Sequence, residues 1–184
     1  FDDWESFSSS NLGWDSVTSA YNEIEGIRKN SGKKRIHVSD VSTQHQPMIK
    51  NFIKAGEGIG FNYTTDLNSD DYEGVGHYPL STKKGSRWTS ADGFLKPALK
   101  MPNLTILKNS QVTKLNIING RVAEIEFIQG KQLVNKVKVR VGAILTAGAI
   151  NTPQLLMLSG IGPKKLLTDV GIDVVREEKN IGQN

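Results

Sequence analysis

The spacing of hydrophobic residues changes near residue 100, from a helical period to the alternation of β-strands. Before that point, we expect one helix that Asp15 or Ser16 caps and that Gly26 ends. A second helix should begin at Pro47, because proline suits the first helical turn. Its predicted inner face carries Met48, Phe52, Ile53 and Ala55.

The residues between this helix and position 100 predict short, irregular elements. Gly56–Gly60 contains a Gly-x-Gly pattern, but no apolar strand leads into it, so a plain turn is favoured over a phosphate loop. Asn62–Gly76 is polar and predicts a loop. The remaining elements expected here are a strand at His77–Leu80, a turn at Lys83–Gly85 and a helix through Leu95 that Thr89 or Ser90 caps.

The second half of the chain predicts an antiparallel β-meander. Leu104–Leu107 and Val112–Ile118 have the composition of strands. Asn119-Gly120 favours a two-residue hairpin turn, and Val122–Ile128 would be the returning strand. In the third strand, charged residues alternate with the apolar positions Val137, Val139 and Val141.

A strand, a tight turn and a helix are expected after the meander. Gly142–Leu145 is a short apolar run, typical of a strand that is covered on both faces in a parallel sheet. The small residues of Thr146–Ala149 allow a sharp turn and the close approach of a ligand. Thr152 should cap the helix, with Pro153 at its first position. Because ligands lie beyond the carboxyl ends of parallel strands, the expected cofactor position is Ala147–Ala149.

This helix should bury Leu155, Leu156 and Leu158 and end at Gly160. The elements expected after it are a helix at Pro163–Val170, closed by Gly171, and a strand at Ile172–Val175. A strand covered on both faces needs parallel neighbours, and this chain offers at most one short candidate. We therefore expect the neighbours to come from sequence outside this chain.

The composition is that of an ordinary globular domain. Of 184 residues, 37% are hydrophobic and 23% are charged, and the mean hydropathy is −0.36. No apolar run approaches the roughly 18 residues of a membrane span, so none is expected. The chain begins at Phe1 without an initiator methionine or a signal-peptide pattern, which favours a piece of a longer protein.

Charge and cysteine content narrow the choice of partners. The net charge is +4 and the isoelectric point is near 9.2. The basic residues are scattered, which is typical of solvated loops, and we expect no nucleic-acid partner. The chain has no cysteine, which excludes disulfides and thiolate metal sites. Asn62 and Asn103 each begin an Asn-x-Thr glycosylation acceptor, compatible with an extracellular location.

No catalytic constellation is visible in the residues themselves. His37, His45 and His77 show no metal-ligand spacing, so we expect structural histidines and no metal site. Hydrolase chemistry has no support, because the chain lacks cysteine and a Gly-x-Ser-x-Gly motif.

Several segments together resemble one family. Residues 147–163, AGAINTPQLLMLSGIGP, resemble the second signature of the glucose-methanol-choline (GMC) oxidoreductases, flavoenzymes that bind FAD and oxidise alcohols. Asn180–Asn184 is similar to the VGQN segment of that family. Residues 85–107, GSRWTSADGFLKPALKMPNLTIL, also resemble a segment of this family. Their sequence is most similar to that of the insect glucose dehydrogenase branch. In the opening segment, the positions that match the family are Trp4, Gly13, Trp14 and Glu25.

The resemblance implies an α/β fold of mixed α+β character. The chain would be a fragment of an FAD/NAD(P)-binding Rossmann-like domain with an antiparallel β-meander, together with part of a substrate-binding domain. Residues 1–100 would lie mainly in the substrate-facing region, and residues 101–184 would return to the FAD-binding domain.

The resemblance also implies a reaction. A hydride would pass from an alcohol or sugar to FAD, and a quinone, a dye or oxygen would act as the electron acceptor. The catalytic histidine lies in the family's C-terminal part, so no catalytic residue is expected in this chain. We expect the piece alone neither to hold FAD tightly nor to turn over.

Three cofactor contacts follow from the resemblance. Val112 stands where a valine backbone meets the FAD adenine, although an ordinary strand residue would look the same. Ala147 and Gly148 match the close-approach point beside the adenosine end of FAD. Tight packing between helix and strand would require the same small side chains.

Two other functions remain open. Leu158–Ile172 also resembles a helix-hairpin-helix motif, in which a Gly-hydrophobic-Gly turn presents backbone N–H groups to a DNA phosphate. That alternative explains only this short segment and leaves the preceding apolar run without a role. A non-catalytic relative that keeps the GMC fold and has lost flavin chemistry is the other alternative that these residues leave open.

Overall fold

The computed structural model describes residues 2–7, 12–25, 35–44, 46–68, 73–130 and 133–183. The chain divides into two compact units, Phe1–Leu104 (unit 1) and Thr105–Asn184 (unit 2). Both units combine helices and strands, which confirms the mixed α/β class. Gly26 and His45 lie outside the described residues, and the predictions made for them stay predictions.

Unit 1 begins with two helices, α1 at Asp2–Phe7 and α2 at Trp14–Ile24. Gly13 occupies the N-cap position of α2, and no side chain caps the helix. The expected caps, Asp15 and Ser16, are therefore wrong. The Val17 N–H already donates to the Gly13 carbonyl at 3.1 Å, so Asp15 lies inside the first turn, where a carboxylate favours the helix dipole.

The third helix, α3, spans Pro47–Gly58, with proline in its first turn as expected. The helix continues through the first glycines that were predicted as a turn, and the chain turns only at Gly60, whose φ is +101°. Of the predicted inner face, only Ile53 is buried, whereas Met48 is 75% exposed and Phe52 71% exposed. Only one side of α3 packs on other described residues of unit 1.

Short strand pairs follow in unit 1. β1 at Tyr63–Thr64 runs parallel to β2 at Val75–Gly76, and β3 at Thr82–Lys83 forms a hairpin with β4 at Ser86–Arg87. The hairpin confirms the predicted turn. The strand predicted at His77–Leu80 is wrong, because pairing stops at Gly76 and Leu80 makes only an isolated bridge.

A π-helical segment at Ala91–Leu95 continues as α4 at Lys96–Ala98. Thr89 rather than Ser90 provides the cap. The Thr89 N–H donates to an Asp92 carboxylate oxygen at 2.9 Å, and the Asp92 N–H donates to Thr89 Oγ1 at 3.4 Å, which is a reciprocal capping pair. Asp92 also accepts a hydrogen bond from the Lys96 ammonium group.

This capping pair gives a pH-dependent contribution to stability. The Lys96 ammonium and then the Thr89 donors hold the pKa of Asp92 well below its ordinary value of 3.8. A depressed pKa contributes stability above the ordinary value and loses it as the pH falls through the folded value. We expect Asp92→Asn to lower the unfolding temperature slightly at neutral pH, and the difference from the unsubstituted protein to vanish in strong acid.

The control for this experiment is Asp169→Asn, which breaks another i,i+4 pair, the one with Lys165 at 2.7 Å. That pair is exposed and makes no cap, so the unfolding temperature should hardly change. Thermal unfolding followed by circular dichroism measures both variants. An Asp92→Asn difference of constant size down to strongly acidic pH would contradict the assignment.

Unit 2 contains the predicted meander. β5 at Ser110–Ile118, β6 at Arg121–Gln129 and β7 at Leu133–Lys138 form an antiparallel sheet in the order β5-β6-β7. Asn119 and Gly120 both have positive φ, 51° and 75°, as the expected tight hairpin requires. The strand predicted at Leu104–Leu107 is wrong, since those residues pair with no described strand.

The rest of unit 2 follows the meander. Its elements are α5 at Gly148–Leu158, β8 at Ile161–Gly162, α6 at Lys164–Asp169 and β9 at Arg176–Glu177, with β8 parallel to β9. The predicted helix at Pro163–Val170 is thus confirmed within a residue. Gly171 closes it at φ +75°.

The run Gly142–Leu145 pairs with no described strand, and Ile144 is 91% exposed. Its neighbours were expected from sequence outside this chain, so the strand stays a prediction. Two other expectations for this region are wrong. Helix α5 begins five residues before Pro153, so Thr152 and Pro153 lie inside it. The strand expected at Ile172–Val175 occurs at Arg176–Glu177, where the backbone aligns with β8. Of the predicted helix face, Leu155 is buried but Leu158 is 45% exposed.

Candidate functional site

The start of α5 is the first candidate position. Ala147 occupies the N-cap position, no side chain caps the helix, and Gly148 has a φ of +87°. A Cβ built on Gly148 would meet no atom within 4 Å. Within the described residues, close packing is therefore not the reason for glycine here. Glycine is favoured at this position because the backbone is left-handed, and the space beside it is open.

This open helix start has the properties that a phosphate-bearing ligand requires. The first N–H groups of a helix have no partner inside the helix, and the aligned peptide dipoles favour negative charge there. Because Ala147 and Gly148 are exposed and carry almost no side chain, a ligand can approach the backbone closely. These residues fit a dinucleotide such as FAD.

Val112, the third predicted contact, lies in β5 opposite Phe127 and is 41% exposed. β5 is an outer strand of the three-stranded sheet, so alternate backbone groups along it face away from β6. A register shift between Val112 and Lys114 also alters the local direction of the strand. The position of Val112 is thus suited to a backbone contact with a ligand.

Ser159 links the two elements that carry these positions. Its side chain is buried at the end of α5, where its hydroxyl donates to the Leu155 carbonyl at 2.6 Å. The same hydroxyl accepts a hydrogen bond from the Leu115 N–H of β5 at 2.9 Å. The sequence gives no signal for this bridge, because Leu115 lies 44 residues away in the chain.

The two glycines of the Ser-Gly-Ile-Gly segment form backbone hydrogen bonds within unit 2. The Gly160 carbonyl accepts hydrogen bonds from the Val175 and Arg176 N–H groups at 2.9 and 3.1 Å. The Gly162 carbonyl accepts one from Glu178 at 3.0 Å. Both glycines are buried. This segment therefore aligns β8 with β9 instead of presenting an open loop.

A face of the meander carries an ion pair. Lys136 Nζ lies 2.8 Å from Glu126 Oε1, and Asn116 donates to the same carboxylate oxygen at 2.9 Å. The Lys136 hydrogen bond, with that of Asn116, lowers the pKa of Glu126, and Glu126 in turn raises the pKa of Lys136. The three side chains connect all three strands of the sheet.

Unit 1 contains a cavity of about 480 Å³ with a largely polar lining. The carboxylates of Glu25, Asp40 and Asp66 line it together with Asn68 and His77. Such a lining offers several acceptors to a hydroxylated ligand. The sequence indicated only the Asp-x-Asn at 66–68 as part of a polar loop, because Glu25 and Asp40 come from distant parts of the chain.

Among the residues that the structure describes, no three histidine or acidic side chains converge as metal ligands would. Within the same part of the chain, no helix has the length and apolar character needed to cross a bilayer.

Two solved structures that share this fold are described as an oxidoreductase and an oxidase. An FAD-dependent oxidoreductase from Chaetomium thermophilum superposes with a TM-score of 0.90 at 24% identity, covering 100% of this chain and 35% of that one. Pyridoxine 4-oxidase from Mesorbium loti superposes with a TM-score of 0.82 at 30% identity, covering 91% of this chain and 34% of that one. The fold is thus that of a class of oxidoreductases.

The sequence comparison identifies the family. The profile of the GMC oxidoreductases matches residues 1–184. The oxygen-dependent choline dehydrogenase of Sinorhizobium fredii is 35% identical over 191 residues, covering 100% of this chain and 34% of the relative. The chain therefore belongs to the GMC oxidoreductase family, as its motifs predicted. It spans about a third of the length of the curated relatives that it matches.

Proposed function

We propose that the full-length protein containing this chain is an FAD-dependent oxidoreductase that oxidises the CH–OH group of an alcohol or sugar. The observation that carries this proposal is the match of the GMC family over the whole chain. The names of two relatives, a choline dehydrogenase and a pyridoxine oxidase, agree with a hydroxyl-bearing small molecule as substrate. Bound FAD would supply the acceptor for the hydride that leaves the carbinol carbon.

We propose different roles for the two units. Unit 1, with its polar cavity, would contribute to the substrate-facing region that we assign to residues 1–100. Unit 2 would return to the FAD-binding domain that we assign to residues 101–184. The support for this division is the family resemblance of each segment together with the open start of α5 in unit 2.

We assign the FAD contacts of this chain to Val112, Ala147 and Gly148. Ala147 and Gly148 would let the adenosine end of FAD approach the helix start closely, because both residues are exposed and carry almost no side chain. Val112 would contact the adenine through the backbone of an outer strand. The two positions hold and orient the cofactor, and no residue of this chain is assigned to proton transfer.

The electron acceptor follows from the family resemblance as oxygen, a quinone or a dye. The helix-hairpin-helix alternative is less favoured, because the glycines that would have to be accessible to a DNA phosphate are buried. A non-catalytic relative would keep the FAD contacts and fail to oxidise any alcohol. Dye reduction by the full-length protein distinguishes an active oxidoreductase from a non-catalytic relative. The substrates to assay are choline, pyridoxine, glucose and simple alcohols. If none of these substrates led to dye reduction, the proposal would be contradicted.

The role of Gly148 has a direct test. We expect Gly148→Ala in the full-length protein to weaken FAD binding about tenfold or more, because a methyl group would occupy the space left for the ligand. The matched control is Gly130→Ala, since Gly130 also has positive φ, +68°, and open space around it. Both variants carry the same backbone strain, about 1–2 kcal/mol. Fluorescence titration of the apoprotein with FAD measures the affinities, and equal effects of the two substitutions would remove Gly148 from the site.

A further inference from the structure

Ser159 is a buried hydroxyl that both donates and accepts a hydrogen bond where α5 meets β5. Its side chain is 2% exposed and lies at the C-cap of α5. The hydroxyl hydrogen is donated to the Leu155 carbonyl at 2.6 Å, and a lone pair of the oxygen accepts the Leu115 N–H at 2.9 Å. A single oxygen thus connects the last turn of the helix to the middle of β5.

The Leu115 amide depends on this hydroxyl. Leu115 is itself 2% exposed, and its N–H points to the outer edge of the sheet, where none of the described strands pairs with it. A buried N–H without a partner is unfavourable, so the junction retains its geometry only while the hydroxyl is present. Without it, the amide would lose its described partner, and the contact between α5 and β5 would loosen.

The junction also determines how far apart the two proposed cofactor positions lie. Val112 is three residues before Leu115 on β5, and Gly148 is at the opposite end of α5 from Ser159. An α-helix is a stiff rod with a rise of about 1.5 Å per residue. Fixing Ser159 on Leu115 therefore limits sliding of α5 along β5, and with it movement of Gly148 along the helix axis relative to Val112.

We propose that Ser159 is a positioning residue for FAD: by joining α5 to β5, its hydroxyl sets the spacing between Val112 and Gly148 at the adenosine end of the cofactor. The inference rests on the proposed function and deepens it. Ser159 itself is buried and would not touch FAD. Its effect on binding passes through the register of α5 against β5.

The test uses the full-length protein freed of its flavin. We expect Ser159→Ala to raise the Kd for FAD about tenfold, the factor that corresponds to 1.4 kcal/mol. The Kd for ADP should rise by the same factor, because ADP shares the adenosine diphosphate half of FAD. Turnover at saturating FAD should stay within about twofold. The affected contacts hold the adenosine end of FAD, so they are equally strong in the ground state and in the transition state.

The matched control is Thr168→Val in α6. Thr168 Oγ1 donates to the Lys164 carbonyl at 2.9 Å, the same bond to the preceding turn that Ser159 makes, but Thr168 is exposed and bonds to no strand in the described structure. Both substitutions remove one helix back-bond. Only Ser159→Ala removes the bridge to β5, so Thr168→Val should leave the Kd for FAD and for ADP unchanged.

A second variant distinguishes a change in FAD binding from a loss of folding. Ser159→Cys keeps a side chain of similar size with a weak donor and acceptor, and its Kd values should lie between those of the unsubstituted protein and Ser159→Ala. Folding of each variant is checked by circular dichroism before titration. A merely structural role would lower the unfolding temperature of Ser159→Ala and leave its Kd values in the folded state unchanged.

The outcomes separate this inference from the function on which it rests. If the unsubstituted protein binds neither FAD nor ADP, the proposed function fails and the inference fails with it. If the unsubstituted protein binds both and the folded Ser159 variants bind them equally well, the function stands and the positioning role is overturned. A parallel tenfold loss for FAD and ADP in Ser159→Ala alone, at unchanged turnover, supports the inference.

Discussion

Gly160→Ala is expected to destabilise unit 2 strongly, because the added methyl group would collide with backbone. Gly160 follows α5 with a φ of +86°, where an L-residue costs about 1–2 kcal/mol. An added Cβ would lie 2.5 Å from the Asp173 carbonyl oxygen and 2.7 Å from Val175 Cγ2. Because the first of these is backbone, relief requires the β8–β9 pairing to move, and we expect a total loss of about 3 kcal/mol.

The control for Gly160→Ala is Gly171→Ala. Gly171 follows α6 with a similar φ, +75°, but a Cβ there would meet no atom within 4 Å. Only the backbone term applies, so the expected loss is about 1 kcal/mol. Urea unfolding followed by circular dichroism measures both. If the two variants had the same midpoint, the close approach at Gly160 would not be a determinant of stability.

Leu167→Ala should cost unit 2 about 3 kcal/mol of unfolding free energy, within the range of 2–5 kcal/mol for buried leucines. Leu167 is 1% exposed, and its side chain packs beside Gly162, so truncation leaves a cavity between α6 and β8. The neighbouring Leu166 is 46% exposed and provides the control, because Leu166→Ala removes mostly solvated surface. Unfolding by urea at one temperature compares them, and losses of equal size would show that the α6 core is not packed as described.

The features that the sequence predicted well are those with local causes. Asn119-Gly120 adopts positive φ at both residues almost without regard to the rest of the chain, so the hairpin turn followed from this dipeptide and the strands from their own composition. The helix at Lys164–Asp169 was equally local, with a proline before it and Gly171 after it. Each of these signals acts within a single turn.

The start of α5 was mispredicted because two local rules competed. Thr152-Pro153 has the pattern of a helix start, and proline in a helix interior normally disrupts the preceding turn. The structure begins the helix at Gly148, whose left-handed φ reverses the chain at once, and accommodates Pro153 in the second turn. The small residues Ala147–Ala149, and not Thr152, thus determine where the helix begins.

The features that could not be predicted depend on distant residues. Gly142–Leu145 has the composition of a buried strand, yet a strand exists only where neighbours pair with it, and none of the described strands does. The bridge from Ser159 to Leu115 joins residues 44 positions apart, and no spacing rule reports such a contact. The lining of the unit 1 cavity likewise brings Glu25 and Asp66 together through tertiary folding.

The exposed apolar side chains of unit 2 agree with the relatives' greater length. Val141 and Ile144 are each 91% exposed and Ile150 is 82% exposed, all near the proposed cofactor position. Apolar groups of this size favour burial against further protein or ligand. In our account, the rest of the FAD-binding domain would cover them in the full-length protein.

The central claim is that this chain contributes to an FAD-dependent alcohol oxidoreductase, and the flavin content of the purified full-length protein tests it most directly. The visible absorbance spectrum, followed by acid release of the cofactor and its chromatographic identification, gives the stoichiometry, and addition of an alcohol panel without oxygen then tests reduction. We predict close to one FAD per chain and loss of the oxidised flavin absorbance with at least one alcohol or sugar. A folded protein that neither retains nor rebinds FAD would contradict the account.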